Sequence, residues 1–409
     1  MAHILFVYKQ LPAPSVGHAG GESLFSLMQG LHQRGHRLTL VARIQQEEQA
    51  QLAEVQAICD RVFTVPHHRA LPGPLPLALV KSYWMLRRTT ARVLKELRPD
   101  FVHVETTQTA AILYGLRLPT ASFRTQDVNW FLQQQQVARS RGWARLKAQV
   151  KQTFFKWFEP QVWHTYDVLL AISEGDRQLL APHCRNQQLL LLPLSPAMQP
   201  APGIAPAVTS GPNLVFVGAM SRDHNINGVL WFLDKVWADI LAAVPETRLY
   251  IVGASPPDEI RARADEASAH AAEASTHVDE ASAYANGASV FVTGFVDDLA
   301  PWYRAATVFV SPMLVAGGML QKVMDAMAMG VPVVATSVCN HGLNATPGEH
   351  LLTADTPERF AGAVVRLLRD ADARAQIGAA GQQFIEERYD IESAIDRWEQ
   401  TLLKARLIP

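Results

Sequence analysis

Two successive sets of short, β-branched apolar runs, each alternating with helix-length segments, restrict this chain more than any other feature. The first set is HILFVY (3–8), RLTLVA (37–42), RVFTV (61–65), FVHVE (101–105), TASFR (120–124), VLLAIS (168–173) and QLLLLP (188–193). The second is NLVFVGA (213–219), RLYIVGA (248–254), SVFVTG (289–294), TVFVSP (307–312) and VPVVAT (331–336). Continuous rather than alternating apolar runs fit strands covered on both faces. Strands separated by amphipathic segments such as Leu24–Gln33 and Leu79–Leu97 predict parallel, doubly wound sheets. Between the sets lie Pro193, Pro196, Pro200, Pro202, Pro206 and Pro212. Such a density continues neither a helix nor a central strand, so it predicts a linker. The expected division is a Rossmann-like domain at 1–195, a linker at 196–212, a second Rossmann-like domain at 213–385 and a terminal segment at 386–409.

A length of 409 residues suits two or three domains, and 48% hydrophobic with 18% charged residues excludes a disordered composition. The start, MAHILFVYKQ, has no basic region before its strand-length apolar run, and no apolar stretch reaches the roughly 18 residues of a membrane span. The expectation is a cytoplasmic protein, with peripheral attachment at the inner membrane left open. Cys59, Cys184 and Cys339 are far apart, which argues against a zinc site or a disulfide framework. The net charge of −1 hides an asymmetry: Arg69 to Arg185 carries 17 Lys or Arg against 8 Asp or Glu. Such a basic half attracts anionic partners; nothing in the sequence points to nucleic acid.

Within 137–158, VARSRGWARLKAQVKQTFFKWF, six cations (Arg139, Arg141, Arg145, Lys147, Lys151, Lys156) mix with Trp143, Phe154, Phe155, Trp157 and Phe158. Two readings stand: a helix lying on an anionic bilayer surface, or a covering helix with its aromatics packed inward. Residues 259–287 are Ala-rich and polar, nearly repeating DEASAHA as DEASAYA. They read as a solvated helical insertion, with a metal or partner role for His270 and His277 as the lesser alternative.

The chemistry concentrates in Thr307–Thr336. A strand leads into a loop with Gly317 and Gly318. QKVMDAMAMG (321–330) then reads as a helix stopped by Gly330 and Pro332. A glycine loop opening a helix brings backbone N–H groups and the positive end of the helix dipole to an anion. Lys322 in the first turn can aim its ammonium at a phosphate. Asp325, three residues on, shares its face and can accept from ribose hydroxyls. A buried helix with an incidental Lys–Asp pair is the plain alternative.

The segment GGMLQKVMDAMAMGVPVVAT resembles the donor-site motif of the retaining glycosyltransferases of family 4, the glycosyl transferases group 1. The resemblance implies a GT-B fold: two Rossmann-like doubly wound domains facing a cleft, the N-terminal one for the acceptor and the C-terminal one for a nucleotide-sugar donor. It also implies a last helix packed back on the N-terminal domain. In that motif two acidic residues are separated by seven others; Asp325 takes the second place and Gly317 the first, so the first carboxylate is absent. The resemblance places Gly317, Gly318, Met319, Leu320 and Asp325 in the donor site. FVGAMSRDHNINGVLWF (216–232) supplies Arg222 toward the diphosphate, with Asn225 read as a cap for the helix that follows it. Gly294 and Phe295 fall beside the base.

In the N-terminal half, GHAGGESLFSLMQGL (17–31) resembles the family's glycine loop, which approaches the donor diphosphate and the acceptor, and the resemblance makes Gly20 and Gly21 donor-binding residues. SFRTQDVNWF (122–131) matches a segment where relatives often carry His-Asn-x-Glu; Gln126, Asp127 and Asn129 stand there as acceptor-side candidates. Gln126, unlike histidine, does not titrate. Ser173 reads as a helix cap with Asp176 three residues on.

The implied reaction is retaining, metal-independent transfer of a hexosyl unit from a nucleoside diphosphate sugar to a glycan or lipid-linked acceptor, with no cofactor. Arg222 and Lys322 are the candidates to stabilise charge on the leaving diphosphate. The alternatives are a catalytically silent nucleotide-sugar-binding protein and a GT-B nucleotide-sugar epimerase. Gln126 argues against the epimerase.

Overall fold

The computed structural model describes residues 1–14, 19–71, 74–198, 200–209, 211–274 and 289–404. The chain divides into two compact units, Met1–Ala197 with Tyr389–Pro409, and Met198–Arg388.

In unit 1 the order is β1 (His3–Tyr8), α1 (Ala19–Gln33), β2 (Arg37–Ile44), α2 (Leu52–Gln56), β3 (Arg61–Pro66), α3 (Leu75–Leu97), β4 (Phe101–Glu105) and α4 (Thr107–Leu113). Then come β5 (Ala121–Thr125), α5 (Asn129–Arg139), α6 (Gly142–Trp163), β6 (Val168–Ala171), α7 (Glu174–Leu180) and β7 (Gln188–Leu191). All strand pairs are parallel, in the order β3-β2-β1-β4-β5-β6-β7. The order reverses between β1 and β4, which opens a crevice at their C-terminal ends. The central strands β1, β4, β5 and β6 bury both faces, while the edge strands β3 and β7 are only partly covered. Ile4, Phe6 and Tyr8 join one core with Leu24, Leu27 and Leu31 of α1, while Leu5 and Val7 join another with Leu86 and Val93 of α3.

Unit 2 runs β8 (Asn213–Val217), α8 (Asp223–Lys235), α9 (Trp237–Ala243), β9 (Arg248–Val252), α10 (Asp258–Ala274), β10 (Val290–Gly294), α11 (Ala300–Ala305) and β11 (Val308–Ser311). It continues with α12 (Gln321–Ala328), β12 (Val333–Ala335), α13 (Ser337–Asn340), β13 (Leu352–Thr353), α14 (Pro357–Arg369) and α15 (Ala371–Arg388). Its parallel sheet is ordered β10-β9-β8-β11-β12-β13, reversing between β8 and β11. Both units are therefore doubly wound α/β folds.

Three expectations change. The stretch expected as a helical insertion over 259–287 begins inside α10, which serves as the crossover helix between the parallel neighbours β9 and β10 and is exposed on most of its surface. It buries Ile260 and Ala264, and Ser268 Oγ accepts from the Ser289 and Val290 amides at 3.2 and 3.1 Å. The rest of the Ala-rich segment, His277 and the side chain of His270 lie outside the described residues. The basic stretch 137–158 is two helices, because the chain turns extended at Ser140 and Arg141. Finally, α1 starts at Ala19, so Gly20 and Gly21 occupy its first turn.

The last helix, α16 (Ile391–Lys404), belongs to unit 1. Ala394, Ile395, Trp398 and Leu402 form one buried stripe in the core with α1. Arg34 pairs with Glu392, Asp396 and Glu399, and His36 Nε2 lies 2.7 Å from Glu399. Trp398 meets His103 and Phe101 edge-on at 5.3 and 6.1 Å between ring centroids. Trp398→Ala removes a fully enclosed indole and is expected to cost about 3–5 kcal/mol of unit 1 stability, seen as a lower urea midpoint; an unchanged midpoint would show that α16 does not complete this core.

Candidate active site

The loop after β8 and the strand end of β11 meet at the reversal point of the second sheet. Gly218 follows β8. Its N–H donates to Val252 O at 2.9 Å, and a Cβ on Gly253 would strike the Gly218 carbonyl. Gly253 therefore lets two strand ends approach to backbone contact. A Cβ on Gly218 itself would fall 2.8 Å from both Lys322 Nζ and Asn225 Nδ2. The glycine leaves the room that these two side chains fill.

Lys322 stands in the first turn of α12. Its ammonium donates to Asn225 Oδ1 at 2.7 Å, lies 4.2 Å from the Phe216 ring centroid and 3.7 Å from Met313 Sδ. Phe216, Asn225 and Met313 are all buried. Loss of solvation lowers its pKa from 10.5 to about 7; nearby Cys339 opposes the shift and Arg222 adds to it. His224 falls to about 4 through desolvation first, then through Lys322 and Arg222. The fields of Arg222 and Lys322 thus both act on His224.

Asn225 is not a cap. The helix begins at Asp223 with Arg222 at the N-cap, so Asn225 lies inside the first turn. Its Nδ2 donates to Ala219 O at 2.8 Å while its Oδ1 holds Lys322. Sequence reasoning gave it a local role because its true partner lies 97 residues away. Exposed Arg222 remains at the open end of the same turn.

The approach to α12 is tight. Gly318 is buried with φ +57, a left-handed conformation that glycine adopts without strain, and a Cβ on Gly342 would strike its carbonyl. Met319 is buried, and Leu320 is the N-cap of α12. Gly317 is half-buried. Asp325 is buried, and its Oδ1 accepts from Gln321 Nε2 at 3.0 Å and from the Met198 amide at 3.1 Å. Lys322 and Asp325 thus follow one another on α12 yet engage different partners. Gly294, with φ +78 and open space about it, ends β10, and Phe295 beside it is 74% exposed.

Unit 1 brings its candidates together around Glu105. Gln126 Nε2 donates to Glu105 Oε2 at 3.2 Å and to Gly20 O at 3.5 Å. A Cβ on Gly20 would fall 2.6 Å from the Gln126 amide. Gly21, in the same turn, is buried. Arg124 Nε donates to Glu105 Oε1 at 2.6 Å, and Arg124 also reaches Ser23 Oγ at 3.3 Å. His103 bridges Glu105 Oε1 and Ser122 Oγ at 3.0 and 2.7 Å. This network was not anticipated. Its signal was a period-two polar pattern, His103 and Glu105 against Ser122 and Arg124, on two apolar strands that pair in register.

Asn129 sits elsewhere. Its amide N–H and Nδ2 both donate to buried Glu159 Oε1, at 3.1 and 2.8 Å, where Glu159 of α6 satisfies the start of α5. Asp127 is exposed. Ser173 does cap α7, accepting from Asp176 N at 2.9 Å. Asp176, read only as its partner, is 1% exposed; burial pushes its carboxyl up to about 7, and the Asp127 charge adds to this. Among the described residues no group of three or more His, Cys, Asp or Glu is placed to hold a metal ion.

Residues 20–194 match the glycosyl transferase 4-like domain, and residues 211–370 match the family "Glycosyl transferases group 1". An uncharacterized 44.6 kDa protein in the cps region of Klebsiella pneumoniae is 24% identical over 181 residues, 44% of this chain and 42% of that protein. The chain thus spans less than half of that curated relative. Sucrose-phosphate synthase from Thermosynechococcus elongatus aligns over 99% of both chains with a TM-score of 0.71 at 17% identity. HepE from Anabaena, determined with UDP and glucose, aligns over 98% of this chain and 99% of its own, with a TM-score of 0.67 at 13% identity. The two family matches cover both α/β units and contain Lys322, Asp325, Arg222 and Gln126, and the chain belongs to the glycosyl transferases of group 1, with the GT-B fold.

Proposed function

We propose that this glycosyltransferase moves a hexosyl unit from a nucleoside diphosphate sugar to a glycan or lipid-linked acceptor hydroxyl, with retention and without a bound metal or cofactor, in cell-surface polysaccharide or glycolipid synthesis. The observation that carries the reading is the enclosed ammonium of Lys322. A cation whose pKa has dropped to about 7 through desolvation, with Arg222 nearby, gains most from a dianion at that spot. Negative charge grows on the departing diphosphate as the glycosidic bond stretches. A cation already stripped of water stabilises that charge with little reorganisation. The first turns of α8 and α12 add their dipoles. Asp325, whose Oδ1 is held by Gln321 and Met198, is the proposed ribose acceptor; Gly317, Gly318, Met319 and Leu320 line the donor, and Gly294 and Phe295 flank the base.

Gly20 and Gly21 are proposed to complete the donor site, and on the acceptor side Gln126 and Asp127 are the proposed contacts. Asn129 acts there through the α5 start that it shares with Glu159. The UDP and glucose in HepE and the cps setting of the Klebsiella relative support the substrate class and pathway. A second reading, a silent nucleotide-sugar-binding protein, draws on Gly317 and Gln126, where no carboxylate and no titrating imidazole stand. Incubation with UDP- and GDP-sugars and a lipid extract separates the two. Sugar transfer with the anomeric configuration kept supports the enzyme; binding with neither nucleotide release nor transfer supports the silent protein.

Lys322→Met is expected to weaken UDP binding roughly tenfold to a hundredfold, the size of a charge-assisted hydrogen bond. Calorimetric titration checks this, and unchanged affinity would remove the donor assignment.

The wild-type affinity carries a pH signature. UDP favours the protonated lysine, and the free protein loses that proton near pH 7. Affinity should therefore decline above about pH 7, by at most about tenfold per unit for one linked proton, and Lys322→Met should flatten the decline. A slope equal in both proteins would assign the proton elsewhere.

Asp325→Asn keeps the side-chain volume and is expected to weaken UDP binding by about 1–3 kcal/mol while unfolding cooperatively. Loss of cooperative unfolding would instead make Asp325 a residue of the fold.

A further inference from the structure

Among the described residues, the outer face of α6 carries exposed apolar side chains at regular spacing. Trp143, Leu146, Val150, Phe154 and Trp157 are 79, 47, 63, 50 and 64% exposed. At 100° per residue these five positions fall within an arc of about 80° on α6. The helix buries Ala148, Glu159, Pro160, Val162 and Trp163 instead. Phe154 stacks on Phe158 at 5.3 Å, so the stripe is preorganised along one side of the helix. Lys147 and Lys151 border the stripe, and Arg139, Arg141, Arg145 and Lys156 add to the charge. The single acidic residue of α6, Glu159, is fully buried against the start of α5. No acid of this helix faces solvent.

A second element repeats the pattern on the same side of the sheet. Leu77, Val80 and Trp84 of α3 are 67, 67 and 55% exposed. Arg88 lies 5.2 Å over the Trp84 ring, and Val80 and Trp84 border one groove with Ile112 of α4. The helices α3, α4 and α6 contribute to one core on that side of the sheet. Scattered exposed apolar residues are ordinary; ordered rows with a cationic border are not.

We propose that this layer of unit 1 is a docking surface for an anionic lipid bilayer, with the α6 stripe inserted at the headgroup boundary and the α3 row beside it. Charge selects the occupant. A second copy of the chain would set these cations against identical cations, whereas acidic headgroups neutralise them. Tryptophans at both ends of the stripe match the wet–apolar boundary of a membrane. No helix among the described residues is long and apolar enough to cross a membrane, so attachment is along the surface. The proposal stands apart from the donor-site reading, because it is read by lipid binding and not by turnover.

The test is cosedimentation of the full chain with vesicles of phosphatidylcholine alone or with phosphatidylglycerol, at low and high salt. The expected result is binding to the phosphatidylglycerol vesicles that weakens as salt rises. The double variant W143S/W157S should lose about tenfold or more in partitioning. The double variant K147E/K151E should lose the preference for phosphatidylglycerol. Both should keep the wild-type thermal midpoint, since all four residues are exposed. Absence of vesicle binding, or wild-type binding by W143S/W157S, would overturn the proposal. So would a concentration-dependent dimer in sedimentation velocity that W143S/W157S abolishes without any vesicle binding, which would make the face a contact between copies.

Discussion

A desolvated ammonium is the constraint around which the second unit is arranged. Lys322 Nζ has one strong acceptor, Asn225, a ring face and a thioether. Keeping a cation there costs several kcal/mol relative to water. The surrounding sequence follows from making that place. Gly218 must lack a side chain so that Lys322 and Asn225 fit, and Gly253 must lack one so that the Gly218 carbonyl passes. Asn225 must be an amide because it faces a carbonyl with one end and an ammonium with the other. This electrostatic demand sits at the point where the sheet order reverses, and it is what supports the donor-site proposal over an ordinary βα turn.

Unit 1 solves a related problem in the opposite way. Its charges, Glu105 and Arg124, are wholly buried and satisfy each other, with His103, Ser122, Ser23 and Gln126 completing much of the network. Such a pair adds little net stability, but removing one member strands the other. What it provides is position. It ties the end of β4 and β5 to the first turn of α1 and fixes the Gln126 amide against Gly20. Thr106, with φ +70, carries the chain out of β4 beside this network, a local strain of the sort that persists where surrounding contacts fix the backbone.

The sheets were largely legible in the sequence. HILFVY and FVHVE appear with the expected bounds as β1 and β4: the first is apolar along most of its length, and the second keeps three apolar residues around His103 and Glu105. The two-residue β13 was not, because Leu352–Thr353 is too short to carry a period. The place of Lys322 and Asp325 on α12 was readable from their glycine loop and helix context. Asn225 was not, because its role depends on a residue 97 positions away, and a local cap was the simpler local reading. The break at Ser140–Arg141 was hidden for a similar reason. The cations and aromatics run straight through it, and only the packing of α5 on α6 and the reach of Glu159 back to Asn129 divide the segment. Helix α10 read as an insertion because its buried face offers one large apolar residue, Ile260, beside small Ala264 and Ser268, which leaves a weak apolar stripe.

The return of α16 to unit 1 has a consequence for how the chain is made. Unit 2 is continuous from Met198 to Arg388 and holds all its own strands when the ribosome passes Arg388. Unit 1 is not. Until Ile395, Trp398 and Leu402 emerge, the faces of α1 and of β1 and β4 that they cover stay open to water. The first unit to be synthesised is therefore the last to close, and the nascent chain carries an uncovered apolar strip for the whole time that the second unit is being built.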